Sequence, residues 1–132
     1  MGFFDKIFNS EKGTNKADIK TVPWIQLTQI ETLDEITEIS KNQPVVILKH
    51  STSCGISGMV LKQFEQSYDL KDEQIKLYFL DLLAYRDISN KIASRFNVPH
   101  QSPQLLVIKE GKVVFDASHS SIQFEKLHEF IE

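Results

Sequence analysis

The run Val45-Val46-Ile47-Leu48 constrains this chain more than any other stretch. Four consecutive β-branched or aliphatic residues leave no polar face for water, so the run fits a central strand buried on both sides. Such a strand needs helices over both faces of its sheet. The chain has 132 residues, enough for one core in one domain. Hydrophobic residues make up 41% and charged residues 25%, too apolar for a disordered chain.

The flanking pattern supplies the helices. Trp24-Ile25-Gln26-Leu27 is a short strand candidate. Thr32 with Glu35 three residues on matches a capping box, and Leu33, Ile36 and Ile39 mark a helical face that Asn42-Gln43-Pro44 ends. Ser51 to Gly58 reads as a polar loop, followed by a helix carrying Met59, Leu61, Phe64 and Tyr68. Ile75 to Leu80 is a further strand. Asp87 or Ser89 caps a helix with Ile92, Ala93 and Phe96, which ends at Asn97-Val98-Pro99. Leu105-Leu106-Val107-Ile108 and Lys112-Val113-Val114-Phe115 flank Glu110-Gly111 as a hairpin, with Gly111 supplying the positive φ. Ser121 caps a last helix with Ile122, Leu127, Phe130 and Ile131. The order is β-α-β-α-β-α-β-β-α, an α/β chain whose central mixed sheet has helices on both faces. Right-handed β-α-β crossovers and a closing antiparallel edge make the arrangement thioredoxin-like.

Residues 1–20 stand apart as an N-terminal amphipathic segment and polar linker, with the domain over 21–132. Phe4, Ile7 and Phe8 share one helical face, which suits a short packing helix or a frayed end. The functional alternative is weak membrane or partner contact, for which eight residues bury too little area alone. Gly2 invites myristoylation, but Lys6 stands where that motif has Ser or Thr.

Charge and cysteine count exclude several function classes. A net charge of −3 argues against nucleic-acid binding through a broadly basic surface. No apolar run approaches the ~18 residues of a transmembrane helix. The single cysteine, Cys54, rules out an intrachain disulfide framework and a multi-thiolate metal cluster, and the four histidines have no zinc-site spacing. With no signal-peptide pattern, a cytoplasmic, reducing location is expected.

A lone cysteine is often a small buried filler. Three features point to chemistry instead: the polar loop around Cys54, the strand-to-helix junction, and Ser57 at the third position after it. Free N–H groups and the dipole at a helix start both favour a thiolate. A thiol of pKa 8.5 is only about 3% ionised at pH 7, and lowering it to about 7 takes roughly 2 kcal/mol. The dipole alone typically supplies less, so direct donors must contribute, and the Ser57 hydroxyl is one turn away. Ser57 also stands where a resolving cysteine would stand in a Cys-x-x-Cys pair. A mixed disulfide on Cys54 would therefore pass to an external thiol. Ser102-Pro103 precedes the hairpin. A cis-Pro there would turn the Ser102 backbone toward the sulfur and let an incoming substrate pair as an added strand.

These residues resemble a known group. Val22 to Glu132 is similar to the thioredoxin superfamily, and within it to the YtxJ-type monothiol bacilliredoxins, or bacillithiol-system redox-active proteins. The likeness is carried by Leu48-Lys49-His50-Ser51-Thr52, by Cys54 with Ile56-Ser57, by Val98 through His100 to Ser102-Pro103-Gln104, and by Ile108-Lys109-Glu110-Gly111-Lys112. The opening Gly2-Phe3-Phe4-Asp5-Lys6-Ile7-Phe8 is also similar. The family usually has Pro directly after the cysteine, where this chain has Gly55.

The resemblance implies an enzyme of thiol-disulfide exchange that removes bacillithiol, or a similar small thiol, from S-thiolated client proteins. Cys54 would be the nucleophile and Ser57 its support. Ser53, Gly55, Ile56, Ser102, Pro103 and Gln104 would contact substrate. His50 and His100 would stand behind them, or serve as plain loop histidines. No tightly bound cofactor or metal is expected, and bacillithiol would be a co-substrate. Two alternatives remain open: a non-catalytic thioredoxin-fold adaptor that binds partners near Ser102-Pro103, and a glutaredoxin-like protein using glutathione.

Overall fold

The computed structural model describes residues 22–52, 55–71 and 73–131. The N-terminal segment and linker expected over 1–20, and Ser53 and Cys54, lie outside the described residues. Five strands form one mixed sheet: β1 (Ile25–Gln26), β2 (Val45–His50), β3 (Lys76–Asp81), β4 (Gln104–Lys109) and β5 (Lys112–Ser118). Their spatial order is β1-β3-β2-β4-β5. β1 and β2 each run parallel to β3, whereas β4 runs antiparallel to both β2 and β5.

The expected central strand is central, and all six residues of β2 are buried. Its alternation divides the core. Val46 and Leu48 face a cluster with Val60, Phe64, Leu105, Phe124 and Leu127. Val45 and Ile47 face the opposite cluster with Leu33, Ile36, Ile88, Ile92 and Leu106. Helices α1 (Thr32–Ile39) and α3 (Arg86–Phe96) cover the second face, and α2 (Gly55–Ser67) covers the first. Among the described residues no helix is long and apolar enough to cross a membrane.

The helix starts differ from the expected caps. Thr32 lies inside α1, and Glu31 at the cap position makes no side-chain cap bond. The first amide groups are satisfied instead by a backbone turn, with Thr32 N–H donating to Gln29 O and Leu33 N–H to Ile30 O. Asp87 and Ser89 lie inside α3, and Tyr85 takes the cap position without a side-chain bond. The Asp81 carboxylate organises the approach to α3 by accepting Leu83 and Ala84 N–H at 3.2 and 3.3 Å. α2 begins at Gly55, so the last part of the expected loop is helical, and Met59 is exposed. At the α3 end, Asn97 adopts the left-handed conformation (φ 56°), as expected of a stop signal.

The expected final α-helix is instead two 3₁₀ segments, His119–Ser121 and Phe124–Phe130. Ser121 ends the first segment and caps nothing. Phe124, Leu127 and Phe130 recur every third residue, which aligns them on one face of a three-residue turn. Phe124 and Leu127 bury against α2's face of the sheet, while Phe130 packs there partly buried. The hairpin forms as expected, but both turn residues have positive φ: Glu110 at 52° and Gly111 at 78°. This is the turn type whose twist matches paired strands.

Candidate active site

β2 emerges from the core through His50 into the buried Ser51, and the chain re-enters regular structure at Gly55. Gly55 is exposed on the first turn of α2, and a Cβ built there meets nothing within 4 Å. The backbone at Gly55 thus has room for a side chain. Ile56 is half exposed, whereas Ser57 is buried. The Ser57 Oγ accepts the Ser51 N–H at 3.4 Å. That bond ties the end of β2 to the first turn of α2. As acceptor in this bond, the Ser57 hydroxyl keeps its own proton to donate.

The second part of the site reaches the same end of the sheet because β4 runs antiparallel to β2. Lys49 pairs with Gln104, so the end of β2 lies beside the start of β4. Immediately before β4, the Ser102–Pro103 peptide bond is cis. Pro103 is buried and Ser102 half-buried, and Pro103 O accepts His119 N–H at 3.1 Å. Gln104 is almost fully buried. Its amide donates to Pro99 O at 3.0 Å and accepts Gln101 N–H at 3.3 Å. Gln104 therefore braces the loop from inside.

The two expected histidines have different surroundings. His50 is buried, packs on Phe79 with ring centroids 5.1 Å apart, and has an Nδ1 without a hydrogen-bond partner among the described residues. Burial lowers its pKa, while the Asp81 and Glu65 carboxylates pull it back up. His100 is exposed after α3. Its Nδ1 lies 3.2 Å from Lys49 Nζ and 3.2 Å from Ser89 Oγ. Burial first, then the positive charges of Lys49 and Arg86, lower its pKa.

Sequence pattern marks Ser89 only as a candidate cap and Lys49 only as part of the family resemblance, and neither as a site residue. Lys49 is completely buried, and its ammonium also donates to Ser89 O at 3.3 Å. Burial brings its pKa down from 10.5 to about 8. One signal in the sequence pointed here: a lysine directly continuing a run buried on both faces must end in the core or at its rim. Ser89 is reached only through the tertiary packing of α3 on β2.

Comparison with known proteins places this geometry. A suspected oxidoreductase with a thioredoxin fold is 32% identical, covers 80% of this chain and 90% of its own, and superposes with a TM-score of 0.68. Schistosoma mansoni thioredoxin is 26% identical over 82% of this chain and 92% of its own, with a TM-score of 0.58. Malassezia sympodialis thioredoxin, 19% identical over 84% of this chain and 90% of its own, shares the fold with a TM-score of 0.62. Residues 25–127, which include the lone cysteine, Ser57 and the Ser102–Pro103 loop, match the family described as monothiol bacilliredoxin BrxC. The chain therefore has the thioredoxin fold and belongs to the monothiol bacilliredoxin BrxC family of thiol-redox proteins.

Proposed function

We propose that this protein removes bacillithiol from mixed disulfides on client proteins, with Cys54 as the nucleophile. The observation that carries the reading is the family match across 25–127 in a chain whose sole cysteine has Ser57 three residues on. The Cys54 thiolate attacks the bacillithiol sulfur of the mixed disulfide. A Cys54–bacillithiol disulfide forms, and the client sulfur leaves as a thiolate that takes up a proton. A second bacillithiol, as thiolate, attacks this adduct, giving bacillithiol disulfide and free Cys54 thiolate. Across the cycle, the mixed disulfide and one bacillithiol thiol become the client thiol and bacillithiol disulfide: the client sulfur is reduced as the incoming bacillithiol sulfur is oxidised.

Ser57 supports the chemistry through a hydroxyl proton that can be donated to sulfur. α2, starting at Gly55, supplies unpaired N–H groups and a positive dipole end directly after Cys54 in the chain. Ser53, Gly55, Ile56, Ser102 and Pro103 form the docking surface, and Gln104 holds its loop in shape. The cycle requires a reduced cysteine, which suits a cytoplasmic location.

The test is intact mass after exposure of the protein to bacillithiol disulfide, followed by de-thiolation of a client peptide. One bacillithiol adduct is expected on the wild type and none on Cys54→Ser, with exchange lost in that variant. A wild-type thiol pKa at or above 8.5 with no adduct would sink the proposal. Partner binding unchanged by Cys54→Ser, without exchange in the wild type, would favour the adaptor. Faster exchange with glutathione adducts would favour the glutaredoxin-like reading.

A further inference from the structure

The end of the sheet away from the candidate site carries an open groove and an exposed valine that the exchange chemistry does not use. We propose that this groove is the docking site of the chain's own N-terminal segment, with Phe4, Ile7 and Phe8 laid over Val114 and Phe130. The inference is independent of the proposed exchange activity.

The groove follows from an irregularity in the hairpin. Ile108 pairs with Val113 and Val107 pairs with Phe115, so Val114 is an extra residue with no partner on β4. Such a bulge re-aims its side chain, and Val114 is 46% exposed on the edge strand. Beside it lie two adjoining hollows of about 440 and 320 Å³. They share Lys109, Glu110 and Phe130 as walls, and Val114 lines the larger. Phe130 is held in place by the Phe115 ring, 5.4 Å away, and by Lys109 Nζ donating to its carbonyl at 3.4 Å. The apolar floor is therefore formed by fixed side chains.

Tether and charge then select the occupant. β1 runs parallel to β3, so the chain leading into Ile25 lies toward the start of β3, where Lys76 N–H donates to Pro44 O. Pro44 lines the smaller hollow. Val22 is buried on the same sheet face as Leu127, with Phe130 packed against that cluster. The segment thus joins the domain at the groove's own end and face. Residues 9–21 reach about 43 Å when extended and about 20 Å as a flexible coil. A domain of this size has a radius of gyration of only about 13 Å. The tether also keeps the segment at a high effective concentration. Four of the six residues 3–8 are large and apolar, and a helix this short is marginal in water without a surface to cover it. Asp5 and Lys6 between them match a rim that carries Lys109 and Lys112 as well as Glu110.

The experiment compares amide ¹H–¹⁵N spectra and thermal unfolding of the full chain with those of two variants. The double variant Phe4→Ser, Phe8→Ser is expected to shift the amides of Lys109 to Val114, Phe130 and Ile131, and to leave those of α3 in place. Val114→Asp, at an exposed position outside the core, should return the amides of residues 3–8 to random-coil values. Val114→Ile should keep them where they are in the wild type. Each disruptive variant is expected to lower the unfolding midpoint by about 3 °C. Combining them should lower it no further, because both remove the same contact. Random-coil positions for residues 3–8 in the wild type, shifts away from the groove, or fully additive losses would overturn the inference. Loss of the wild-type contact on dilution would assign the groove to a second copy of the chain and also overturn it. So would binding to phosphatidylglycerol vesicles by a segment that makes no contact in their absence.

Discussion

At the scale of single residues, Lys49 is the side chain whose chemistry and stability pull in opposite directions. Its ammonium is completely buried, with a carbonyl and an imidazole as its acceptors. The drop of its pKa to about 8 means that folding disfavours the charged form. Replacing it by a similarly shaped apolar residue removes that penalty. Ser89 Oγ still faces His100 Nδ1 in its absence. Lys49→Met is therefore expected to match or exceed the wild type in stability at pH 7, by about 1 kcal/mol, in urea unfolding. A loss of more than about 2 kcal/mol would show that the ammonium is a net structural asset.

At the scale of elements, the hairpin and α1 support each other at the sheet end away from the candidate site. Gly111 N–H donates to Ser40 Oγ at 2.8 Å, and Glu110 N–H donates to Ser40 O at 2.8 Å. The Ser40 hydroxyl in turn donates to Thr37 O at 2.6 Å. Gly111 holds φ at 78°, and a Cβ there would stand 3.4 Å from Thr37 Cγ2. Gly111→Ala is expected to cost about 1 kcal/mol by thermal or chemical unfolding, without altering exchange kinetics. A neutral effect would mean that the turn can change type.

The elements also show what was legible in sequence. Apolar runs gave β2, β3 and the hairpin because strand burial is written in consecutive residues. The caps of α1 and α3 were misread because backbone turns and Asp81 do the work assigned to Thr32, Asp87 and Ser89. The last element was read as an α-helix because apolar spacing barely separates three from 3.6 residues per turn. Ser57 was visible through local spacing from Cys54. The Lys49 cluster was not, since its bonds join residues 40 and 51 positions apart.

At the scale of the whole molecule, bases whose pKa values folding lowers shape the pH response. His50 and His100 both have pKa values below 6.5, chiefly through burial. As pH falls through 6.5 the unfolded chain takes up these protons first, so it binds more protons than the native state and stability declines. Lys49 gives the same sign at alkaline pH, where stability rises between about 8 and 10.5. The midpoint of thermal unfolding is expected to drop between pH 7 and 5.5, and the double variant His50→Gln, His100→Gln should flatten that slope. A slope unchanged by both substitutions would assign the acid sensitivity to other groups.

The antiparallel seat of β4 beside β2 has a consequence in time as well as in space. The cysteine segment follows β2, but the loop that completes the site enters only with β4, and Lys49 meets His100 across 51 positions of chain. During synthesis the thiol leaves the ribosome well before β4 and the loop that precedes it. A nascent or truncated chain ending before β4 carries its cysteine without the loop proposed to select its partner. In the proposed exchange, substrate selection therefore belongs to the finished sheet, and it arrives late in the birth of the molecule.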